Sequence, residues 1–239
     1  MANRCYYNNR KKDWEVVMTP LSYKTVFCEG CGEIVEKKSR FIAHVYPVTV
    51  VEEAEEIINR LKKEYWDARH NCYAYIIGKD GMNKKCSDDG EPQGTAGKPM
   101  LEVLTGEGLV NVLVVVTRYF GGVLLGTGGL IRAYQGAVKE GLKESEVIEK
   151  KYAEKVTVSV DYTFMGKIQY IAASLDVITN DIIYDDKVNF SFVVLPDKMK
   201  PLNDKIMEAT SATATTVVEK EVWIGVSDSG NIHIFEDEV

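Results

Sequence analysis

The sequence of 239 residues lacks any long apolar run. A helix that crosses a bilayer needs about 20 consecutive apolar residues. The longest run here, Val112 to Val116, has only the length of a buried strand. The first 17 residues are polar and charged and lack the apolar segment of a secretory signal. These absences argue against a membrane protein, and we expect a cytoplasmic protein with no membrane partner.

Cysteine and histidine are scarce, with five Cys and three His in the whole chain. An odd number of cysteines without an export signal indicates free thiols rather than a disulfide framework. Cys28 and Cys31 have a spacing seen in zinc sites, but zinc needs two more ligands. Cys72 and Cys86 are spaced wrongly to supply them. We therefore predict no metal and no cofactor.

The sequence has no basic excess of the kind that favours non-specific binding of nucleic acid. Its net charge is −7, and residues 151–239 carry 15 Asp and Glu against 8 Lys and Arg. The first 150 residues balance, with 21 of each sign. Any contact with RNA is therefore expected from a local patch on the first half. The acidic second half is better suited to solubility or to a protein partner.

The length and composition predict two globular domains. Apolar residues make up 45% and charged residues 27%, which is the usual mix for packed domains of about 100–150 residues. Residues 1–22 are interpreted as an N-terminal extension, because strand-like patterning begins at about Tyr23. The charged segment Ser145 to Lys151 lacks an apolar stripe. We place the boundary there, between a first domain at 23–145 and a second at 152–239.

The first domain is predicted to mix strands with helices. It opens with a hairpin of strands at 23–28 and 32–48 around a turn at 29–31, followed by a helix at 49–66. Thr49 and Glu52 have the spacing of a capping box at the start of that helix. The remaining elements are a strand at 70–79, a polar loop at 79–97, a short helix at 98–104, a strand at 110–119 and a helix at 127–143.

The second domain is predicted to follow the order βαββαβ, which is the ferredoxin-like arrangement. Its elements are a strand at 156–160, a helix at 164–174, a hairpin of strands at 177–184 and 187–194, a helix at 201–210 and a strand at 215–222. Pro201 is expected in the first turn of its helix, where proline is tolerated. A final strand is expected at 232–235.

A glycine-rich segment from Arg118 to Gly129 joins a buried strand to an amphipathic helix. Its five glycines are Gly121, Gly122, Gly126, Gly128 and Gly129. Glycine permits positive φ and close approach of backbone N–H groups to a ligand, and a helix N-terminus favours an anion. Thr127 is expected to cap the helix, while Arg118, Lys98 and Arg132 are expected to meet phosphate. The alternative is a tight connection that needs glycine only for packing.

A second glycine-rich segment runs from Asp88 to Gly97. Asp88, Asp89 and Glu91 are weak catalytic candidates that could position a hydroxyl. The alternative is a structural loop whose acids cap the next helix. The acids are too few for a calcium-type site.

His70 is a further weak catalytic candidate. On a strand it shares a face with Cys72, which is the minimum for a thiolate–imidazole pair. Side chains at neighbouring positions on one strand diverge, so a buried thiol beside a hydrogen-bonded histidine is the favoured alternative.

Three long motifs occur in order, together with a shorter one upstream. They are HNCYAY at 70–75, DDGEPQGTAGKP at 88–99, RYFGGVLLGTGGLIRAY at 118–134 and, before them, KKSRFIAHV at 37–45. Over about residues 23–145 the sequence resembles the IMPACT family, in its bacterial YigZ-like form. The resemblance implies an α+β first domain like a small-subunit ribosomal protein and the fourth domain of elongation factor G. It also implies a ferredoxin-like second domain, in agreement with the pattern read from the residues.

The same resemblance implies a connection with translation. Eukaryotic members of the family regulate translation under stress by binding a large scaffold protein, through an additional N-terminal domain that is not recognised here. We do not expect that specific role. The favoured hypothesis is a translation-associated regulatory binding protein that contacts RNA or a ribosome-related partner through the glycine-rich surface. The alternatives are an enzyme acting on a nucleotide or phosphorylated metabolite, which is less favoured, and a protein-interaction module.

Overall fold

The computed structural model describes residues 4–8, 13–17, 22–227 and 230–236, and the side chains of the last two ranges. It divides into two compact units, the first made of residues 1–149 with 227–230 and the second of residues 150–226 with 231–239. Both units combine helices with antiparallel sheet, so the predicted α+β class is confirmed. No helix among the described residues is long and apolar enough to cross a membrane.

The first unit contains eight strands and three helices among its described residues. They are β1 (Arg4–Asn8), β2 (Asp13–Val17), β3 (Ser22–Val26), β4 (Gly30–Glu36), β5 (Ser39–Pro47), α1 (Val51–Glu64), β6 (His70–Ile77), β7 (Asn83–Ser87), α2 (Gly97–Gly106), β8 (Val112–Tyr119) and α3 (Thr127–Lys143). Strands β1 and β2 form a hairpin within the predicted extension. The main sheet has the order β4-β5-β8-β6-β7 and is antiparallel throughout.

Strand β8 lies at the centre of this sheet and is covered on both faces, as its run of Val and Leu predicts. Val112, Val114 and Val116 belong to the core under α2 and α3. Leu113 and Val115 belong to the core under α1 on the opposite face. Alternate residues of a strand point to opposite faces, so one central strand contributes to both cores.

The hairpin at the start of the first unit differs from the prediction. Strands β4 and β5 pair with each other, with Glu36 opposite Ser39, so the turn is Lys37-Lys38 and not residues 29–31. Both lysines have positive φ, 45° and 68°. Two-residue hairpin turns of this kind usually carry Asn or Gly. Two lysines give no such signal, so the sequence predicted a single strand over residues 32–48.

Helix caps and an edge strand also differ from the prediction. Helix α1 begins at Val51 without a side-chain cap, and the Thr49 N–H is accepted by Glu53 instead of Glu52. Thr127 is the first residue of α3 and does not cap it, because Gly126 holds the capping position. Strand β7 occupies part of the predicted loop at 79–97. All of its residues are polar or exposed, which is typical of an edge strand and leaves no alternating pattern.

The elements after α3 form the ferredoxin-like arrangement. They are β9 (Val147–Val160), α4 (Met165–Ser174), β10 (Ile178–Tyr184), β11 (Val188–Val194), α5 (Pro196–Ala209), β12 (Thr215–Ser227) and β13 (Ile232–Phe235). The sheet order is β10-β11-β9-β12-β13, which confirms the predicted βαββαβ order with β13 added at an edge. Ile168 of α4 and Ile206 of α5 pack on Val158 and Phe190 in one core.

Two boundaries in this half were wrong. The strand expected at 156–160 begins at Val147, so it includes most of the charged segment at 145–151. Helix α5 begins at Pro196, and Pro201 lies inside it. Pro201 removes one backbone hydrogen bond near the start of the helix, and the packing of Leu202 and Ile206 in the core compensates for that loss.

Candidate functional site

One end of the main sheet gathers both glycine-rich segments. Arg118 near the end of β8 lies opposite His70 at the start of β6. Tyr119 lies opposite Arg40 at the start of β5. The turn at 37–38 and the segments at 88–96 and 120–126 all leave the sheet at this end, and α2 and α3 begin beside it. We call this end the loop edge.

The two glycine-rich segments are joined by a buried ion pair at the loop edge. The Arg118 Nη1 donates to Glu91 Oε1 at 2.5 Å, and the two side chains are 7% and 3% exposed. The Tyr134 hydroxyl of α3 donates to the same oxygen at 2.9 Å, and His70 Nε2 lies 3.9 Å from it. Glu91 thus connects one segment with the end of β8 and with α3.

Arg118 is covered on its other sides by aromatic rings. Its guanidinium carbon lies 5.3 Å from the Phe41 ring centroid and 5.7 Å from the Phe120 ring centroid. The sequence predicted that this guanidinium would meet phosphate directly. In the structure it is buried and neutralised by Glu91, so its position is inside the junction of the two segments and not on their surface.

Asp88 acts as a cap for α2. Its carboxylate accepts the N–H groups of Gly94, Ala96 and Gly97 at 2.8, 3.0 and 2.8 Å. Desolvation opposes the charge on Asp88, but these three backbone donors outweigh it and lower the pKa of the carboxyl. Asp88 therefore has the structural role that we gave as the alternative, in which an acid of this segment caps the next helix.

Asp89 is also engaged in structural contacts. Its carboxylate accepts from Lys62 Nζ at 2.6 Å and from the Asn71 N–H at 2.8 Å. Its backbone has a positive φ of 41°, which aspartate tolerates better than most residues. The contacts tie the segment at 88–96 to α1 and to β6.

His70 and Cys72 both contact the backbone of the segment at 88–96, and they do not contact each other. His70 Nδ1 lies 2.9 Å from the Asp89 carbonyl oxygen. The Cys72 thiol lies 2.9 Å from the Asp88 carbonyl oxygen and 3.4 Å from the Tyr134 hydroxyl. Burial, opposed in part by the hydrogen bond with Tyr134, raises the pKa of the Cys72 thiol far above its usual range. Cys72 is therefore a protonated structural thiol.

The glycines of the segment from Arg118 to Gly129 differ in their surroundings. A Cβ on Gly121 would lie 2.0 Å from the Lys38 carbonyl carbon, so this glycine is required by packing. Gly122 and Gly126 have positive φ, 84° and 70°. A Cβ on Gly122, Gly126 or Gly128 would stand in open space. Gly129 has only Leu125 nearby, at 3.1 Å. Packing thus requires Gly121, whereas Gly122, Gly126 and Gly128 border open space.

The start of α3 is accessible. Gly122, Gly126, Thr127 and Gly128 are all exposed, and no side chain of the capping residue satisfies the first N–H groups. Arg132 is exposed in the second turn of α3, and Lys98 is exposed in the first turn of α2. In residues 22–227 and 230–236, no group of three or more His, Cys, Asp or Glu could hold a metal ion.

Tyr134 was not singled out from the sequence, although it is fully buried and organises the junction. Its position on the apolar stripe of α3 predicts a core residue. Burial raises the pKa of its hydroxyl far above the usual range, so it stays a hydrogen-bond donor to Glu91. The sequence did contain a signal for Tyr134, because it shows a tyrosine in a glycine-rich motif. The hydroxyl of a buried tyrosine usually needs a hydrogen-bond partner.

Comparison with known proteins assigns both halves of the chain. A model of the Impact N-terminal domain matches residues 37–142, and a domain of unknown function called DUF1949 matches residues 158–213. IMPACT family member YvyE of Bacillus subtilis is 45% identical over 190 residues, which is 80% of this chain and 88% of YvyE. IMPACT family member YigZ of Escherichia coli is 41% identical over 142 residues, which is 59% of this chain and 70% of YigZ.

A solved structure described as a hypothetical protein superposes with a TM-score of 0.54 at 31% identity, covering 84% of this chain and 98% of that one. These matches define a two-domain α+β protein in which an Impact N-terminal domain precedes a ferredoxin-like unit. The chain belongs to the IMPACT family, in its bacterial YigZ-like form.

Proposed function

We propose that this protein is a translation-associated regulatory binding protein that contacts RNA, or a ribosome-related partner, through the loop edge of its first unit. Membership of the IMPACT family supports the connection with translation, since translational regulation is what the family resemblance implies. The geometry of the loop edge supports binding as the mode of action.

The open start of α3 is the observation that carries the proposal. Gly126, with φ of 70° and ψ of 167°, leads into a helix of 17 residues without a side-chain cap. Gly126, Thr127 and Gly128 are exposed. The first N–H groups of a helix have no partner within the helix, and together with the helix dipole they attract anions. A phosphate group of RNA is such an anion.

Two exposed cations add to this attraction. Arg132 follows in the second turn of α3, and Lys98 lies in the first turn of α2, which begins at the same end of the sheet. Arg118 has a different role, because its charge is balanced by Glu91. We assign Arg118 to holding the two glycine-rich segments in position, and the phosphate contacts to Lys98, Arg132 and the backbone of α3.

The enzyme hypothesis has less support from the geometry. An acid–base role needs a carboxylate that can exchange protons with a substrate. Asp88 is held by three backbone N–H groups, Asp89 by Lys62 and the Asn71 N–H, and Glu91 by Arg118 and Tyr134. Each of these carboxylates already has a structural task. Binding is therefore the function that we favour.

Co-sedimentation with ribosomes over a series of salt concentrations tests the proposal. The wild-type protein should associate at low salt and lose affinity as salt rises, because phosphate contacts release counterions. The double variant Lys98→Ala, Arg132→Ala should bind more weakly. The salt slope, which is the slope of log binding constant against log salt concentration, should fall in magnitude by about 2, or about 1 for each lost phosphate contact. Lys139→Ala, an exposed lysine further along α3, is the matched control and should behave as the wild type. A wild-type protein with no salt-sensitive association would refute the proposal.

A further inference from the structure

A short segment between α1 and β6 lies against the end of β8. The Tyr119 hydroxyl donates to Asp67 at 2.8 Å, and the Arg69 guanidinium carbon lies 5.9 Å from the Phe120 ring centroid. These two contacts hold the residues of the segment at the loop edge. Trp66, the second residue of this segment, is 81% exposed.

The exposure of Trp66 is unusual for its residue type. Tryptophan is highly buried on average, and it contributes more apolar area than any other side chain when it is buried. Here it lies two residues after the end of α1 and leaves most of its ring in water. A single exposed aromatic residue needs no explanation by itself. The charges around it provide the second observation.

Three exposed cations share the loop edge with Trp66. The Lys37-Lys38 turn packs directly on the glycine-rich segment, since the Lys38 carbonyl leaves no room for a Cβ on Gly121. Arg69 is exposed as well, and Phe120 lies under its guanidinium. No carboxylate within the described residues forms an ion pair with these three side chains.

Two of the four acids beside this surface have side-chain partners. Glu33 accepts two hydrogen bonds from Arg40, at 2.7 and 2.9 Å. Asp67 accepts from Tyr119. Glu36, the residue before the lysine turn, and Glu64, the last residue of α1, are exposed acids without an ion-pair partner within the described residues. Lys37, Lys38 and Arg69 therefore remain available to an anionic ligand, since none of them has an ion-pair partner within the described residues.

Exposed aromatic rings interleaved with cations are typical of single-stranded nucleic-acid sites. Every base has a face that stacks on an aromatic ring, and the adjacent phosphates need cations at short range. A duplex hides its base faces, so it gains nothing from Trp66. A protein partner would need acidic side chains placed opposite the three cations, whereas every nucleotide of an RNA strand carries both a base and a charged phosphate. The combination therefore favours a single strand.

We infer that the loop edge is a binding platform for single-stranded RNA, with one base stacked on Trp66 and neighbouring phosphates held by Lys37, Lys38 and Arg69. Phe120, which has the Arg118 and Arg69 guanidinium groups near its ring, keeps Arg69 in place. The inference rests on the proposed function, and it specifies the form of RNA that the surface recognises.

Binding of the full chain to a fluorescently labelled 12-nucleotide RNA tests the inference, with the same sequence as a duplex for comparison. The wild-type protein should prefer the single strand. Trp66→Ala should weaken single-strand binding about tenfold, since stacking of one base on an aromatic ring contributes roughly that much. Trp66→Phe should retain most of the affinity. Tyr170→Ala, which removes a ring that is 75% exposed in the second unit, is the matched control.

The lysine turn is tested with Lys37→Asn together with Lys38→Asn. Asparagine tolerates positive φ, so the charges are removed with little strain on the turn. The salt slope of single-strand binding should fall by about 2. Thermal unfolding checks that each variant remains folded, which we expect because Trp66 and both lysines are exposed.

The outcomes separate this inference from the proposed function. Equal binding of the single strand and the duplex would overturn the platform, and so would an unchanged RNA affinity in Trp66→Ala. The proposed function would still stand if the wild-type protein associated with ribosomes in a salt-sensitive way. Ribosome association that depends on Trp66 but survives nuclease treatment would identify a protein-docking surface, and would also overturn the platform. Absence of both ribosome and RNA binding in the wild type would overturn both.

Discussion

Arg118 and Glu91 form an ion pair that is almost completely buried, with a donor–acceptor distance of 2.5 Å. The pair connects the end of the central strand with the acidic glycine-rich segment, and Tyr134 donates to the same carboxylate oxygen. Two charges removed from water depend on each other, because either one alone would have no compensation. The conformation of both segments therefore depends on this contact.

Removal of Glu91 should destabilise the first unit strongly. In Glu91→Gln the Arg118 charge stays buried without a counter-charge, and the expected loss is about 3–5 kcal/mol of unfolding free energy. Urea unfolding measures it. Glu33→Gln is the matched control, because its partner Arg40 is half exposed, and such surface pairs contribute little to stability. Similar small losses in both variants would contradict the prediction.

Asp88 should make stability depend on pH. Its pKa is lowered in the folded protein, so its contribution is present above the unfolded pKa of about 3.9 and is lost as pH falls through the lower folded value. Asp88→Asn should be less stable than the wild type at pH 7 by about 0.5–2 kcal/mol, the usual range for a helix cap. The difference should shrink as the pH is lowered below about 4. A difference that stays constant down to pH 2.5 would show that the charge has no part in the cap.

Regular elements with a strong apolar period were predictable from the sequence. Helix α3 begins and ends at the predicted residues, 127 and 143, because its apolar stripe covers the full length of the helix. The buried strand β8 and the hairpin of β10 and β11 were also predicted closely. In each case local patterning and tertiary burial act in the same direction.

The parts that were missed depend on contacts that are distant in sequence. Glu91 meets Arg118 across 27 positions and Tyr134 across 43 positions, and no local pattern encodes either contact. Arg118 was therefore interpreted as a free guanidinium. The edge strand β7 and the Lys37-Lys38 turn carry no apolar alternation and no Asn or Gly. The residues of the loop edge were individually visible, but their grouping depends on the strand register.

Two glycines of the same segment should respond oppositely to alanine. In Gly121→Ala the new Cβ would lie 2.0 Å from the Lys38 carbonyl carbon and 2.4 Å from the Ser39 nitrogen. The backbone must move, and the expected loss is about 1–3 kcal/mol. Gly128→Ala adds a methyl group into open space in the first turn of α3, where alanine is favoured over glycine by up to about 1 kcal/mol.

Thermal unfolding of the two glycine variants measures this contrast, and binding provides a second readout. If the N–H groups of α3 approach a phosphate, Gly128→Ala should keep or raise the melting temperature while it weakens ribosome association. Gly121→Ala should lower the melting temperature. Equal stability of the two variants would mean that the chain at 120–122 can move away from Lys38 at little cost.

The cysteines should separate by reactivity. Cys72 is buried, and the pKa of its thiol is raised by that burial, so it carries almost no thiolate at pH 8. Cys28, Cys31 and Cys86 are exposed. Alkylation with iodoacetamide, followed by peptide mass spectrometry, should modify these three in the folded protein and Cys72 only after denaturation. Fast modification of Cys72 would show that the junction around Tyr134 opens readily. Glu91→Gln should accelerate modification of Cys72 in particular, because loss of the Arg118 pair weakens the junction that covers the thiol.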